Sequence, residues 1–94
     1  MEPIQIIAML NKYFTSLARI SELVSKKLSE QTIARTIGTH HYYLKDYYNA
    51  RKIYSDKHLE NAFTALLKAD IALKTTSIDD QTLLSLLIAE IIPD

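Results

Sequence analysis

The chain has 94 residues, enough for one hydrophobic core and marginal for two, and its 11 Lys+Arg against 11 Asp+Glu give a formal net charge of zero. That balance supplies no whole-molecule field for gathering duplex DNA or an anionic membrane, and the absence of Cys excludes disulfides, thiolate nucleophiles and Cys-ligated zinc. The single glycine, Gly38, excludes loops in which several glycines let the backbone cradle a phosphate, while 48% hydrophobic residues with only two prolines favour helix over sheet and form a generous apolar supply for so small a domain.

The chain opens Met1-Glu2-Pro3 without a basic stretch, so no secretory signal is expected, and no apolar run reaches the roughly 20 residues of a membrane span. Pro3 suits the first position of a helix. Apolar residues at Ile6, Leu10, Phe14, Leu17, Val24 and Leu28 recur at helical intervals and predict a first helix over about residues 4–28, its stripe widened by Ile7, Ile20 and Leu23. Glu22 and Lys26 form a favourable pair on its wet side. Ser29 is placed to cap a second helix, Glu30 to Ile37, closed by Gly38 in a left-handed conformation. Thr39 is read as the cap of a third helix running to about Tyr54, with Tyr43, Leu44, Tyr47 and Tyr48 on one face. Ser55 restarts the chain into a fourth, whose inward stripe is Leu59, Phe63, Leu66, Leu67 and Leu73 and whose end falls at Thr75, Thr76 and Ser77. Asp79 caps a fifth, about Asp80 to Ile92, apolar around almost its whole axis.

Ala34, Gly38 and Leu44 have the spacing of a helix-turn-helix corner. A DNA-reading version places His40, His41, Lys45 and Asn49 on the leading face of the third helix. Bulky Tyr42, Tyr43, Tyr47 and Tyr48 suit packing better than a groove, and residues 31–57 hold five basic side chains against Asp46 and Asp56, a weak field, so a packing corner is favoured. His40 and His41 point about 100° apart on a helix and have no third ligand at a chelating interval, so they are assigned to a polar cap and a packed ring rather than to a metal.

Asp70 falls on the stripe of the fourth helix where a hydrophobe is expected, and Lys74 one turn later is its local partner. No second acid, base or nucleophile converges with them, so the pair is read as structural and no catalytic residue, cofactor or metal site is assigned. In the fifth helix, Leu83, Leu86, Leu87 and Ile91 are assigned to a subunit interface, unless this helix is the central one of the domain's own core. Covering about five Leu or Ile side chains is worth on the order of 8–15 kcal/mol, comparable to the total stability of about 5–14 kcal/mol for a chain this long.

Several clusters together resemble one family: Ile7-Ala8-Met9-Leu10; Ile33-Ala34 with Ile37-Gly38; His40 with Tyr42 and Lys45; Tyr54-Ser55; and Ala69-Asp70 with Lys74-Thr75, followed by Asp79 before a leucine-rich helix. In that order, over about Ile6 to Ile92, the chain resembles the C-terminal domain of the delta subunit of bacterial DNA polymerase III, a clamp-loader subunit. It departs from the family pattern at His41, where a proline is frequent, at Thr76, where a glycine follows the Lys-Thr pair, and at Thr15, which stands where an arginine is usual.

The resemblance implies a compact all-α, five-helix orthogonal bundle over residues 1–94, the collar portion of a longer cytoplasmic chain. Its implied partners are the collar domains of gamma/tau and delta-prime, with the sliding clamp gripped only by preceding AAA-like domains. It implies no catalysis, no cofactor, no membrane contact and no direct DNA binding by this domain. A helix-turn-helix DNA binder is the alternative, and a small enzyme stands third for want of convergent groups.

Overall fold

A computed structural model of the chain describes residues 2–93, and within them every regular element is helical. α1 spans Pro3–Ser25, α2 Glu30–Ile37, α3 Leu44–Ile53, α4 Asp56–Thr75 and α5 Asp80–Ile91, with one 3-10 turn at His41–Tyr43. Each start has a local chemical cause. Ahead of Pro3, the Gln5 side-chain oxygen accepts from Glu2 N–H at 3.0 Å, and Glu2 O accepts from Gln5 N–H at 3.0 Å. Ser29 Oγ accepts from Thr32 N–H at 3.1 Å, and Asp79 Oδ2 from Thr82 N–H at 3.1 Å. At α4, Ser55 Oγ accepts from His58 N–H at 3.2 Å while His58 Nδ1 accepts from Ser55 N–H at 3.3 Å.

Two boundaries differ from expectation. α1 stops at Ser25, three residues short, because Lys27 takes a left-handed conformation (φ +56°) that turns the chain toward α2. Val24 and Leu28, assigned to the inward stripe, are consequently exposed, and the stripe that is buried runs through Ile7, Phe14, Leu17, Ile20 and Leu23. The start of the third helix also moves. Gly38 closes α2 at φ +81°, and the Thr39 N–H reaches back to Ala34 O at 2.9 Å as part of that closure. Thr39 therefore belongs to the end of α2, and His40 does the capping, its Nδ1 accepting from Tyr42 N–H at 3.2 Å ahead of the 3-10 turn.

α4 is the centre of the packing, with α1 on one side and α5 on the other, while the far half of α1 carries α2 and α3. Two apolar clusters result. The larger joins Ile7, Phe14 and Leu17 of α1 to Leu59 and Leu66 of α4 and to Leu83, Leu87 and Ile91 of α5. The smaller joins Ile20 and Leu23 to Ile33, Ala34, Ile37 and Leu44, and Tyr47 packs against both. Ser16 ties α1 to α2 through a buried hydroxyl, which lies 3.0 Å from Lys12 O and 3.3 Å from Ile37 O.

The molecule measures 47 × 26 × 17 Å. Helix axes pack about 8–10 Å apart, so the smallest dimension admits two layers and no third. Each helix of a two-layer slab has an outer side. The accessible surface of 6439 Å² exceeds the roughly 5,500 Å² typical of a monomer of this mass.

Candidate subunit interface

α5 offers almost no polar contrast around its axis, so its orientation is decided by what it packs on. α4 presents Ala62, Ala65 and Ala69, all buried, with Ala72 half-buried beyond them. The spacings of three and four residues put these small side chains on one face, where they let a neighbouring axis approach closely. Against that face α5 turns Leu83, Leu87 and Ile91, four residues apart and all buried.

The interface assignment for α5 is corrected accordingly. Of Leu83, Leu86, Leu87 and Ile91, three belong to the domain's own core, and only Leu86 is free, at 54% exposure. The other large apolar side chains that α5 and its end leave in water are Ile88 at 47% and Ile92 at 58%. Covering Leu86, Ile88 and Ile92 completely is worth about 2–5 kcal/mol, because half of each is already buried. That is well below the 8–15 kcal/mol expected from five fully exposed side chains, and below or near the low end of the cost of association, about 4–15 kcal/mol. α5 alone is therefore an insufficient interface.

A second apolar area lies across α4. Ile4 of α1 and Leu67 and Ile71 of α4 are each more than half exposed, and Ile4 and Leu67 border a groove of about 250 Å³ between the two helices. Leu67, expected inside, sits on the rim because α1 covers Phe63 and Leu66 instead. Asp70 lines the same groove with its side chain 32% exposed, and Lys74 Nζ lies 3.0 Å from its Oδ2. The stripe position that made Asp70 conspicuous is thus an edge, where a carboxylate stays hydrated and needs no buried shell. Thr15 spends its hydroxyl on Asn11 O at 2.7 Å. Thr76 spends its own on Ala72 O at 2.7 Å, closing α4 where a glycine is usual in the family pattern.

The α2–α3 corner leaves all four candidate groove-facing residues, His40, His41, Lys45 and Asn49, in water. His40, His41 and Tyr42 are exposed and stack on one another, with centroids 4.4–4.7 Å apart. Lys45 and Asn49 are exposed, while Tyr47 and Tyr48 are half-buried. Arg51, a basic residue of this region, is committed to the turn into α4: its side chain is 18% exposed, donates to Tyr54 O at 2.5 Å and pairs with Asp56. Its Nε is buried without a partner.

Beside it, Tyr13, Phe14, Tyr47 and Tyr54 form an edge-to-face and tilted cluster with centroids 5.1–5.5 Å apart, joining α1 to α3 and the α4 entrance. Burial pushes the Tyr13 phenol up from its ordinary value, with repulsion from Tyr47, Tyr54 and Asp46 adding to it. Tyr48 is raised by burial and then by Glu30, and Tyr54 by burial. No group of three or more His, Asp or Glu able to hold a metal ion occurs among the described residues.

The alanine stripe, Ser16, Arg51 and the tyrosine cluster went unrecognised in the sequence. Spacing alone could have exposed the first, since Ala62, Ala65, Ala69 and Ala72 repeat at helical intervals. The others depend on contacts between distant segments.

These features define an all-α domain whose helix ends are closed by local caps and pairs and whose outer faces remain partly apolar. The chain belongs to the family of the DNA polymerase III delta subunit, C-terminal domain, whose model matches residues 1–91. It is thereby part of a clamp-loader subunit of the DNA replication machinery. No curated protein and no solved structure matches the chain.

Proposed function

We propose that this domain is the collar portion of a longer delta subunit and holds that subunit in the clamp loader through contacts with the collar domains of gamma/tau and delta-prime. The observation that carries the reading is the outer surface: Leu86, Ile88 and Ile92 at α5 and Ile4, Leu67 and Ile71 across α1 and α4 stay exposed in a two-layer slab with no third layer to cover them. Together the two areas are worth about 5–10 kcal/mol when covered, enough to approach the cost of association where neither alone is. The domain works without catalysis, in the cytoplasm, keeping neighbours fixed while nucleotide-driven movements elsewhere act on the clamp. Asp70 and Lys74 hold the edge of the α1–α4 groove in shape.

The helix-turn-helix alternative loses one of its cations, because Arg51 is spent on Tyr54 and Asp56. The test is to mix the chain with gamma/tau and delta-prime collar domains and follow co-elution. A complex that weakens on Ile88→Asp or Ile92→Asp, with helix content retained, supports the reading. Failure of every combination with a folded domain overturns it.

A further inference from the structure

Along the outer side of the α4–α5 contact run two adjoining recesses that share Ala65, Lys68 and Glu90. The first, about 150 Å³, has Ala69 and Ala72 in its floor and Leu86 in its wall. A volume of this order holds one benzene-sized group. It exists because the α4 residues beneath it are alanines; a larger side chain there would fill it. The second, about 250 Å³, is edged by Asn61 and Thr64.

Lys68 and Glu90 stand where the two recesses meet. Both are exposed, and neither takes part in any of the four ion pairs found among the described residues. In water these two charges cost little. Beneath a partner each needs an opposite charge, and a partner that offers the wrong sign is penalised twice. A polyanion that satisfies Lys68 is repelled by Glu90, which disfavours a phosphate backbone or an anionic membrane as the occupant.

We infer that the α4–α5 cleft receives an amphipathic helix of a neighbouring clamp-loader subunit. That helix seats one branched-aliphatic or phenyl side chain in the apolar recess, with a carboxylate against Lys68 and a cation against Glu90. Residues one turn apart on a helix are neighbours on its surface, so one partner helix can present the anchor and both charges together. The inference rests on the collar reading and adds to it how one neighbour is chosen over another: the apolar flanks supply area, and Lys68 with Glu90 supplies register.

The test measures the affinity of the 94-residue chain for gamma/tau and delta-prime collar domains by isothermal titration. Leu86→Asp weakens the complex by about a hundredfold or more. Lys68→Glu and Glu90→Lys each weaken it by about tenfold, and added salt shrinks both effects. Val24→Asp, on the exposed side of the far end of α1, binds as wild type. All four positions are exposed, and circular dichroism confirms that the variants keep their helix content. If wild type binds and the three cleft variants bind equally well, the cleft is overturned while the collar reading stands. If wild type binds no collar domain, both fall. If the chain binds none but sediments alone as a dimer that Leu86→Asp dissolves, the occupant is a second copy and the inference is wrong.

Discussion

Replacing Leu87 with alanine tests which side of α5 is inside. The Leu87 side chain is 3% exposed and sits in the larger core cluster, with Leu83 and Ile91 one turn away on either side. The neighbouring alanines of α4 have no side-chain length with which to fill the hole, so the cost falls toward the middle of the range for such truncations, about 3–4 kcal/mol. With a total stability of about 5–14 kcal/mol and a fall of about 4–8 °C per kcal/mol, Tm drops by about 12–30 °C. Leu86→Ala, one residue away, removes a side chain already 54% exposed and costs about 1 kcal/mol or less. Thermal unfolding followed by far-ultraviolet circular dichroism reads the first comparison, and urea titration gives the two free energies with their slopes. Equal losses, or a larger loss from Leu86→Ala, would mean that α5 is rotated about its axis and that Leu83, Leu87 and Ile91 do not share the core face.

Three further outcomes follow from the same contacts. Ser16→Ala removes the hydroxyl bonded to Lys12 O and Ile37 O and lowers stability by about 1 kcal/mol, read as a lower urea midpoint with an unchanged slope. Arg51→Ala unties the α3–α4 turn and costs about 1–2 kcal/mol, while duplex-DNA retention in a mobility-shift assay does not change; a stable variant with altered DNA retention would place Arg51 on a nucleic-acid surface. Folding raises the Tyr13, Tyr48 and Tyr54 phenols above the ordinary value of 10.0, so the folded chain holds those protons more tightly. Their stabilising contribution is complete below pH 10.0 and is lost as pH rises from there through the folded values. Urea midpoints across that range fall for wild type and fall less for Tyr13→Phe; an identical decline would remove Tyr13 from the account.

Helix starts and stops were legible because their causes are local. Ser29, Ser55 and Asp79 cap the segments they precede, and Gly38 ends α2, since each acts on amides or carbonyls within a turn of itself. Thr39 carries a side chain able to cap, but it lies in the closure of α2, its N–H on Ala34 O, and the following turn is capped by His40 one residue later. The end of α1 was missed because a lysine, not a glycine, adopts the left-handed turn at residue 27.

What the sequence by itself determined is an all-α chain of five helices, its family, and the existence of more apolar side chains than so small a domain can cover. Those follow from periodicity, caps and the order of short motifs along the chain. Only the tertiary structure decided which of those side chains remain outside. A helix apolar on all sides carries no periodic signal for its own rotation, so the face of α5 was set by the alanine stripe of α4. Leu83, Leu87 and Ile91 went in against it, and Leu86, Ile88 and Ile92 were left out. Asp70 likewise looked buried on a projection of α4 alone and became an edge residue once α1 covered Leu66 and Phe63 rather than Leu67. In both cases the deciding quantity is the direction from which a neighbouring helix approaches, which no residue of the helix itself encodes.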